Sequence, residues 1–287
     1  MNKLIISAAL TGAGTSREAA PTVPLFADEI AEQVVEVAKA GAAAVHIHVR
    51  EDNGWPTMST EKFTDAFVAI KKAVEAAGVD VVINLTTSGS SKMEPYDLRV
   101  AHLIKLHPEM CSYDSGTFNW NNNGVFVNDP GFLEVLSQTV VEHGIKPEIE
   151  IFDNGMIGNA IHYIKKYNIL TPCHFQFVLG VGGGADGTTK NLVFLRDLLP
   201  EGSTWSVTGI GKTHMDMMLA GLSLGCDGLR VGLEDNLYLS RGVKATNVQL
   251  VERAVALAKL AGREIATAEE ARQILGITRH SLREYQV

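Results

Sequence analysis

The chain of 287 residues has only three cysteines, Cys111, Cys173 and Cys226, far apart and without metal-type pairing. That excludes a disulfide framework and a thiolate zinc site, and leaves small thiols in apolar segments that read as reduced and structural. No run of about 18 apolar residues occurs, so no membrane-spanning helix is encoded. The opening MNKLIISAALTGAG turns polar too early for a secretion signal, and a cytoplasmic location is expected. No basic block precedes the C-terminal tail and the net charge is −8, which argues against a nucleic-acid surface. Nucleotide fingerprints are missing as well: GVGGG lacks the dinucleotide spacing, and GIGKT lacks the first glycine of a phosphate-binding loop. No Ser-His-Asp order or nucleophile elbow suggests a hydrolase.

What the chain does have is alternation. Its composition is 46% hydrophobic, enough for a sizeable core. Short apolar runs at residues 3–9, 43–49, 80–86, 110–113, 147–152, 173–179, 204–208 and 227–231 predict strands. Helical patterns fall between them: Ile30, Val34, Val37 and Ala38 share one face, as do Phe63, Phe67, Ile70 and Val74. Further helices are predicted at about 95–106, 130–143, 155–167, 188–199, 212–224 and 247–261. Glycines 41, 78, 144 and 225 sit where C-caps belong, just before the next strand. Eight strands each followed by a helix, with no linker or composition break, predict an α/β fold, a single (β/α)8 barrel domain over 1–287. A doubly wound open sheet is the alternative. A helical extension starts at about 264, with a helix near 267–275 and a tail assigned to the periphery or a subunit contact.

In such a barrel the chemistry belongs at the C-terminal ends of the strands. The loops there are polar and glycine-rich, including HVREDNG, TTSGS, DSGTFNWNNNG, GVGGGADG, TGIG and GLEDN, whereas the loops entering the strands are short and bland. The asymmetry points to an enzyme. In GAAAVHIHVRED, His46 and His48 lie one residue apart in a strand and project to the same side. Such a pair is a common way to place two imidazole ligands on a metal. Barrel closure puts the eighth strand beside the first and the first beside the second, so Glu234 can supply a third ligand. Two histidines and a carboxylate suit catalytic Zn2+ and leave Fe2+, Mn2+ or Co2+ open. Beside Glu234, Asp235 is free to act as a general base, with Arg230 to orient it.

Gly182 and Gly183, and Gly209 and Gly211, sit in glycine-rich turns that could admit a phosphate-bearing cosubstrate, with Lys212 adding charge; plain tight turns are the alternative. The hydroxyl-rich loops offer Thr86, Thr87, Ser88, Ser115 and Thr117 beside Asp114, where a hydroxyl could bind a substrate carboxylate, though each taken singly reads first as a turn or cap residue. His174 reads as a packed, hydrogen-bonded core histidine.

Taken together, AVHIHVRED, WSVTGIGKTHM, GLRVGLEDNLYLSRG and AEEARQILGI resemble the β-keto acid cleavage enzymes, the family of 3-keto-5-aminohexanoate cleavage enzyme, over nearly the whole chain. The resemblance implies a (β/α)8 barrel, usually tetrameric, with a catalytic zinc. It also implies a reaction in which a β-keto acid and acetyl-CoA yield acetoacetate and a new acyl-CoA. On that basis His46, His48 and Glu234 match metal ligands, Asp235 the base and Arg230 its partner. Thr86 stands where a family member has a catalytic serine. A family threonine in the fourth loop falls at Asp114 or Ser115, and Thr87 joins the glycine turns as a substrate or CoA contact. Family members that handle a substrate amino group can carry an acid where this chain has Gly14, which argues against an amine-bearing substrate. A CoA-independent metal-dependent aldolase or lyase is the rival reading, and a non-catalytic ligand-binding barrel a weaker one.

Overall fold

The computed structural model describes residues 3–89, 94–121 and 124–277. Eight parallel strands close into a barrel: β1 (Ile5–Ala9), β2 (Ala44–Ile47), β3 (Val82–Leu85), β4 (Met110–Asp114), β5 (Lys146–Ile151), β6 (His174–Leu179), β7 (Thr204–Gly209) and β8 (Gly228–Val231). Strand β8 pairs with β1 (Ser7 beside Arg230) and β1 with β2 (Ala9 beside His46), so the first and last units meet. Around the strands run α1 (Ala27–Ala40), α2 (Thr60–Ala77), α3 (Tyr96–Leu106), α4 (Pro130–Glu142), α5 (Asn154–Tyr167), α6 (Thr189–Arg196), α7 (His214–Ser223) and α8 (Asn247–Leu260). The expected elements are present with ends shifted by a few residues, and the barrel is closed rather than an open doubly wound sheet.

Pleating sorts the side chains. Ile6, Ala8, Val45, Ile47, Ile83, Leu85, Phe175, Phe177, Val207, Leu229 and Val231 belong to the main apolar core with the helices. The stripes Ile30–Val34–Val37 of α1 and Phe63–Phe67–Ile70–Val74 of α2 are buried against it, each such side chain contributing roughly 2 kcal/mol. The alternate positions, which face the lumen, are Ser7, His46, Asn84, Glu148, Glu150, Gln176, Ser206, Thr208 and Arg230, all buried. Branched apolar side chains ordinarily fill a barrel of this type. Burying charge is costly unless it is paired or bound, so the polar lumen has a function other than packing.

Three short antiparallel hairpins depart from the predicted loops. The second strand leaves the barrel at His48, and Val49–Arg50 pairs with Pro56–Thr57. Phe118–Asn119 pairs with Val125–Phe126, and Tyr238–Ser240 with Val243–Lys244. A ninth helix, α9 (Ala268–Leu275), closes the N-terminal end of the barrel. Its Ala271 and Leu275 cluster with Ile5, Ala44, Val82 and Met110. Arg272 ties it down, bonding Glu109 and both carboxylate oxygens of Asp80, at 2.6 and 2.9 Å. The tail assigned to a subunit contact lies beyond residue 277, outside the described residues. Among the described residues no helix is long and apolar enough to cross a membrane.

Candidate metal centre and active site

Two glycines let the chain after β8 return across the end of β1. Gly232 has φ 144°, and a Cβ there would lie 2.0 Å from the Ala9 carbonyl oxygen. Gly12 has φ +66°, and its Cβ would meet Glu234 Cγ at 2.7 Å. With both side chains absent, the Glu234 amide donates to the Ala9 carbonyl at 3.2 Å, which swings the carboxylate over β2.

There Glu234 meets the two histidines. Its Oε1 lies 3.7 Å from His46 Nε2 and 3.5 Å from His48 Nε2. The imidazoles stand edge to face, with centroids 5.1 Å apart. The three donor groups lie within 4.8 Å of one another, close enough to share one ion. Glu234 Oε2 is buried without a hydrogen-bond partner. Burial pushes His46 down to about 3, so it is a neutral ligand at ordinary pH. Burial opposes ionisation of Glu234, but Arg230 and both histidines overcome it and hold the carboxyl well below its usual range. His46 and Glu234 therefore stand in the protonation state that a divalent ion requires.

Arg230 is the hub. Its Nη2 donates to Glu234 Oε1 at 2.6 Å and to Asp235 Oδ1 at 3.1 Å, its Nε to Asp235 Oδ2 at 3.0 Å, and its Nη1 to Glu150 Oε1 at 3.0 Å. Thr208 Oγ1 adds a bond to Asp235 Oδ2 at 3.2 Å. Burial raises the Asp235 carboxyl, which suits a base. Burial also pushes Glu148 up to about 7 and raises Asp114 and Glu150. Glu150, Glu234 and Asp235 all share the single Arg230. A divalent cation would add positive charge where carboxyls outnumber the one guanidinium, so the residues present suit a metal. His46, Glu148 and Glu150 form a second metal-type cluster, but Arg230 holds Glu150 and the Asn84 amide holds Glu148 at 2.7 Å.

The centre opens into a cavity of about 280 Å³. Loops after β4 to β7 supply an apolar wall, with Phe118, Trp120, Phe126, Phe152, Val181 and Ile210; the loop after β1 supplies Ala13, Gly14 and Thr15. A Cβ on Gly14 would meet nothing within 4 Å.

Of Thr86, Thr87, Ser115 and the glycines at 182, 183, 209 and 211, only Gly182 lines this cavity. Thr86 Oγ1 accepts the Ser88 amide at 3.0 Å, and Thr87 Oγ1 donates to the Ser112 carbonyl at 3.0 Å. Ser115 Oγ turns to the Tyr113 carbonyl at 3.4 Å. Gly182 lines the cavity, whereas Gly183 and Gly209 pack on backbone: a Cβ would fall 1.6 Å from Asn119 O and 2.4 Å from Thr213 O. The Gly211 amide donates to the Asp235 carbonyl at 2.9 Å, tying that turn to the segment after β8. His174 is a core histidine, bonded to Thr204 and Ser206 at 2.9 and 3.0 Å.

Sequence reasoning passed over Asn84, Glu148 and Glu150, and gave Asp114 no role of its own. Asp114 lines the cavity, with Ser88 on one oxygen at 2.6 Å and the other without a partner. A signal for the glutamates existed: PEIEIF alternates acid and isoleucine in a buried parallel strand, the same period as the histidine pair.

A family model described as beta-keto acid cleavage enzyme matches residues 3–277. The 3-keto-5-aminohexanoate cleavage enzyme of Fusobacterium nucleatum subsp. nucleatum is 44% identical over 278 residues, covering 96% of this chain and 99% of that protein. The 3-dehydrocarnitine:acetyl-CoA trimethylamine transferase of Rhizobium meliloti is 33% identical over 299 residues, covering 97% of this chain and 98% of its own. The apo structure of ObcA shares the fold, with a TM-score of 0.78 at 22% identity, covering 90% of this chain and 66% of that one. A family match that runs from β1 through α9 takes in every strand bearing a lumen acid or histidine, and the chain belongs to the β-keto acid cleavage enzyme family.

Proposed function

We propose that this enzyme condenses a β-keto acid with acetyl-CoA and cleaves the adduct to acetoacetate and a new acyl-CoA, using a divalent ion, Zn2+, held by His46, His48 and Glu234. The observation that carries the reading is the approach of both Nε2 atoms to one Glu234 oxygen, at 3.7 and 3.5 Å, from segments far apart in the chain. The Rhizobium meliloti relative, named as an acetyl-CoA-using transferase, supports the cosubstrate.

When bound, the ion supplies Lewis acidity that polarises a carbonyl and favours enolate character. The chain's own residues move the proton. Asp235, held at two points by Arg230 and at a third by Thr208, takes a proton from the carbon between carboxylate and ketone. That carbon bonds to the acetyl carbonyl carbon, and the CoA thiolate leaves. The thiolate adds to the original ketone, and the bond between that carbon and its neighbour breaks. One fragment is the new acyl-CoA; the other takes the proton back from Asp235 as acetoacetate. The apolar wall of Phe118, Phe126 and Phe152 keeps water from the thioester. Thr86 and Ser115, and the glycine turns at 182–183 and 209–211 with Thr87, belong to this proposal as supports of the loops that frame substrate and CoA. A single barrel domain carries the whole site, in a cytoplasmic homotetramer.

The test is acetoacetate formation from a panel of β-keto acids of differing charge, with and without acetyl-CoA, using chelator-treated and zinc-restored protein. Turnover that needs both acetyl-CoA and zinc is expected. Cleavage that proceeds without acetyl-CoA would make the protein a lyase instead, and full activity after chelation would remove the metal from the scheme.

A further inference from the structure

We propose that Asn84 is the positioning residue of the metal centre: its amide oxygen receives the Nδ1 proton of His46 and so turns the Nε2 lone pair to the ion. The inference rests on the metal-centre reading above and names a residue on a strand that contributes no ligand.

Strands β2 and β3 run parallel with His46 beside Asn84 in register. The His46 Nε2 faces Glu234, and the other ring nitrogen, Nδ1, is buried without a hydrogen-bond partner. Asn84 Oδ1 has the complementary deficit, buried and without a partner. The amide nitrogen of Asn84 is already engaged, donating to Glu148 Oε2 at 2.7 Å. A carboxamide has one donor end and one acceptor end. With the donor end on Glu148, the acceptor end is the one left for His46. The two side chains are close enough to interact, and each brings one orphaned atom to the pair.

A neutral imidazole carries one N–H and one lone pair. If the proton sat on Nε2, the ring would present a donor to the cation and a lone pair to the Asn84 oxygen, both unfavourable. A proton on Nδ1 satisfies the orphaned oxygen and leaves Nε2 free. Metal-bound histidines are commonly fixed in this way by an acceptor on the second nitrogen. Here the acceptor is an amide, itself fixed by Glu148 from the floor of the same lumen.

Metal binding tests this more directly than turnover. Asn84→Leu keeps the approximate size and removes the oxygen, while Asn84→Asp keeps an acceptor. Metal-free protein is titrated with Zn2+ against a competing chelator, and Co2+-loaded protein is read by its visible ligand-field bands. Asn84→Leu is expected to bind Zn2+ about tenfold to hundredfold more weakly with altered Co2+ bands, and Asn84→Asp to restore most of the loss. In metal-free wild-type protein, nitrogen–proton correlation spectra of the imidazoles, assigned by the signal missing in His46→Gln, should place the His46 proton on Nδ1. That measurement requires no Asn84 variant to fold. An Asn84→Leu protein with wild-type affinity and bands, an Asn84→Asp protein as weak as Asn84→Leu, or a His46 proton on Nε2 overturns the inference and leaves the metal reading intact. Wild-type protein that takes up no ion overturns both.

Discussion

Arg230 and Asp235 form a two-point ion pair at the mouth of the barrel, Nε to Oδ2 at 3.0 Å and Nη2 to Oδ1 at 3.1 Å, with both side chains 2% exposed. The planar fork fixes the orientation of the carboxylate as well as its charge, which a lysine cannot do. Arg230→Lys should therefore fold and lower kcat by about hundredfold, the order expected when a reacting group is misplaced by about 1 Å. Steady-state kinetics on β-keto acid and acetyl-CoA check this; an unchanged kcat would deny Asp235 its orienting partner.

Adjacent acids should separate cleanly. Glu234→Gln removes the charge that faces both imidazoles and is expected to abolish metal retention and turnover together. Asp235→Asn should keep its metal and lose about 10²- to 10⁴-fold in rate, the range of a positioned general base. Metal analysis of dialysed protein beside activity distinguishes the two.

Gly12→Ala tests the approach of loop one to the metal centre. The left-handed φ of +66° costs an alanine about 1 kcal/mol, and its Cβ would press on Glu234 Cγ at 2.7 Å. A small fall in melting temperature with a Zn2+ affinity weakened by more than about tenfold is expected. Equal metal affinity in the variant would mean that Glu234 is free to shift.

Buried histidines predict acid sensitivity. His102, stacked on Phe63 at 3.9 Å, and His174 are each pushed down to about 3 by burial. Between that value and the usual histidine range near 6.5, the unfolded chain binds protons that the folded chain refuses. Stability from these groups is complete above this window and is lost as pH falls through it. Because the raised lumen carboxyls act in the opposite sense, the comparison must be relative. His174→Gln should lose less stability than wild type between pH 7 and 5 in urea unfolding, and an identical loss would count against the assignment.

Removing the clamp on α9 should cost stability without touching the chemistry. Arg272→Met leaves Glu109, whose side chain is 3% exposed, without its guanidinium, and is expected to cost about 3 kcal/mol. Thermal unfolding reads the loss, and Zn2+ affinity should be unchanged because α9 closes the opposite end of the barrel.

Much of this site is local enough to read in one dimension. The same-side parity of His46 and His48 follows from strand pleating, and a ring of eight units puts the segment carrying Glu234 next to them. The hydroxyl loops were less legible: Thr86, Thr87 and Ser115 differ only in which carbonyl or amide each can reach, and those partners lie on other strands or across a turn. The three hairpins were not legible because each has only two or three residues per strand, too few to show a period.

The amino-acid order by itself determined the alternation of strand and helix, the apolar stripes that face each other, and the adjacency of Glu234 and Asp235, because these depend on neighbours a few residues apart. Only the closed barrel decided that Arg230 would also reach Glu150, and that Asn84 would stand between Glu148 and His46. Those contacts depend on the register of strands up to 80 residues apart. That register is set by packing around the whole barrel rather than by any single segment.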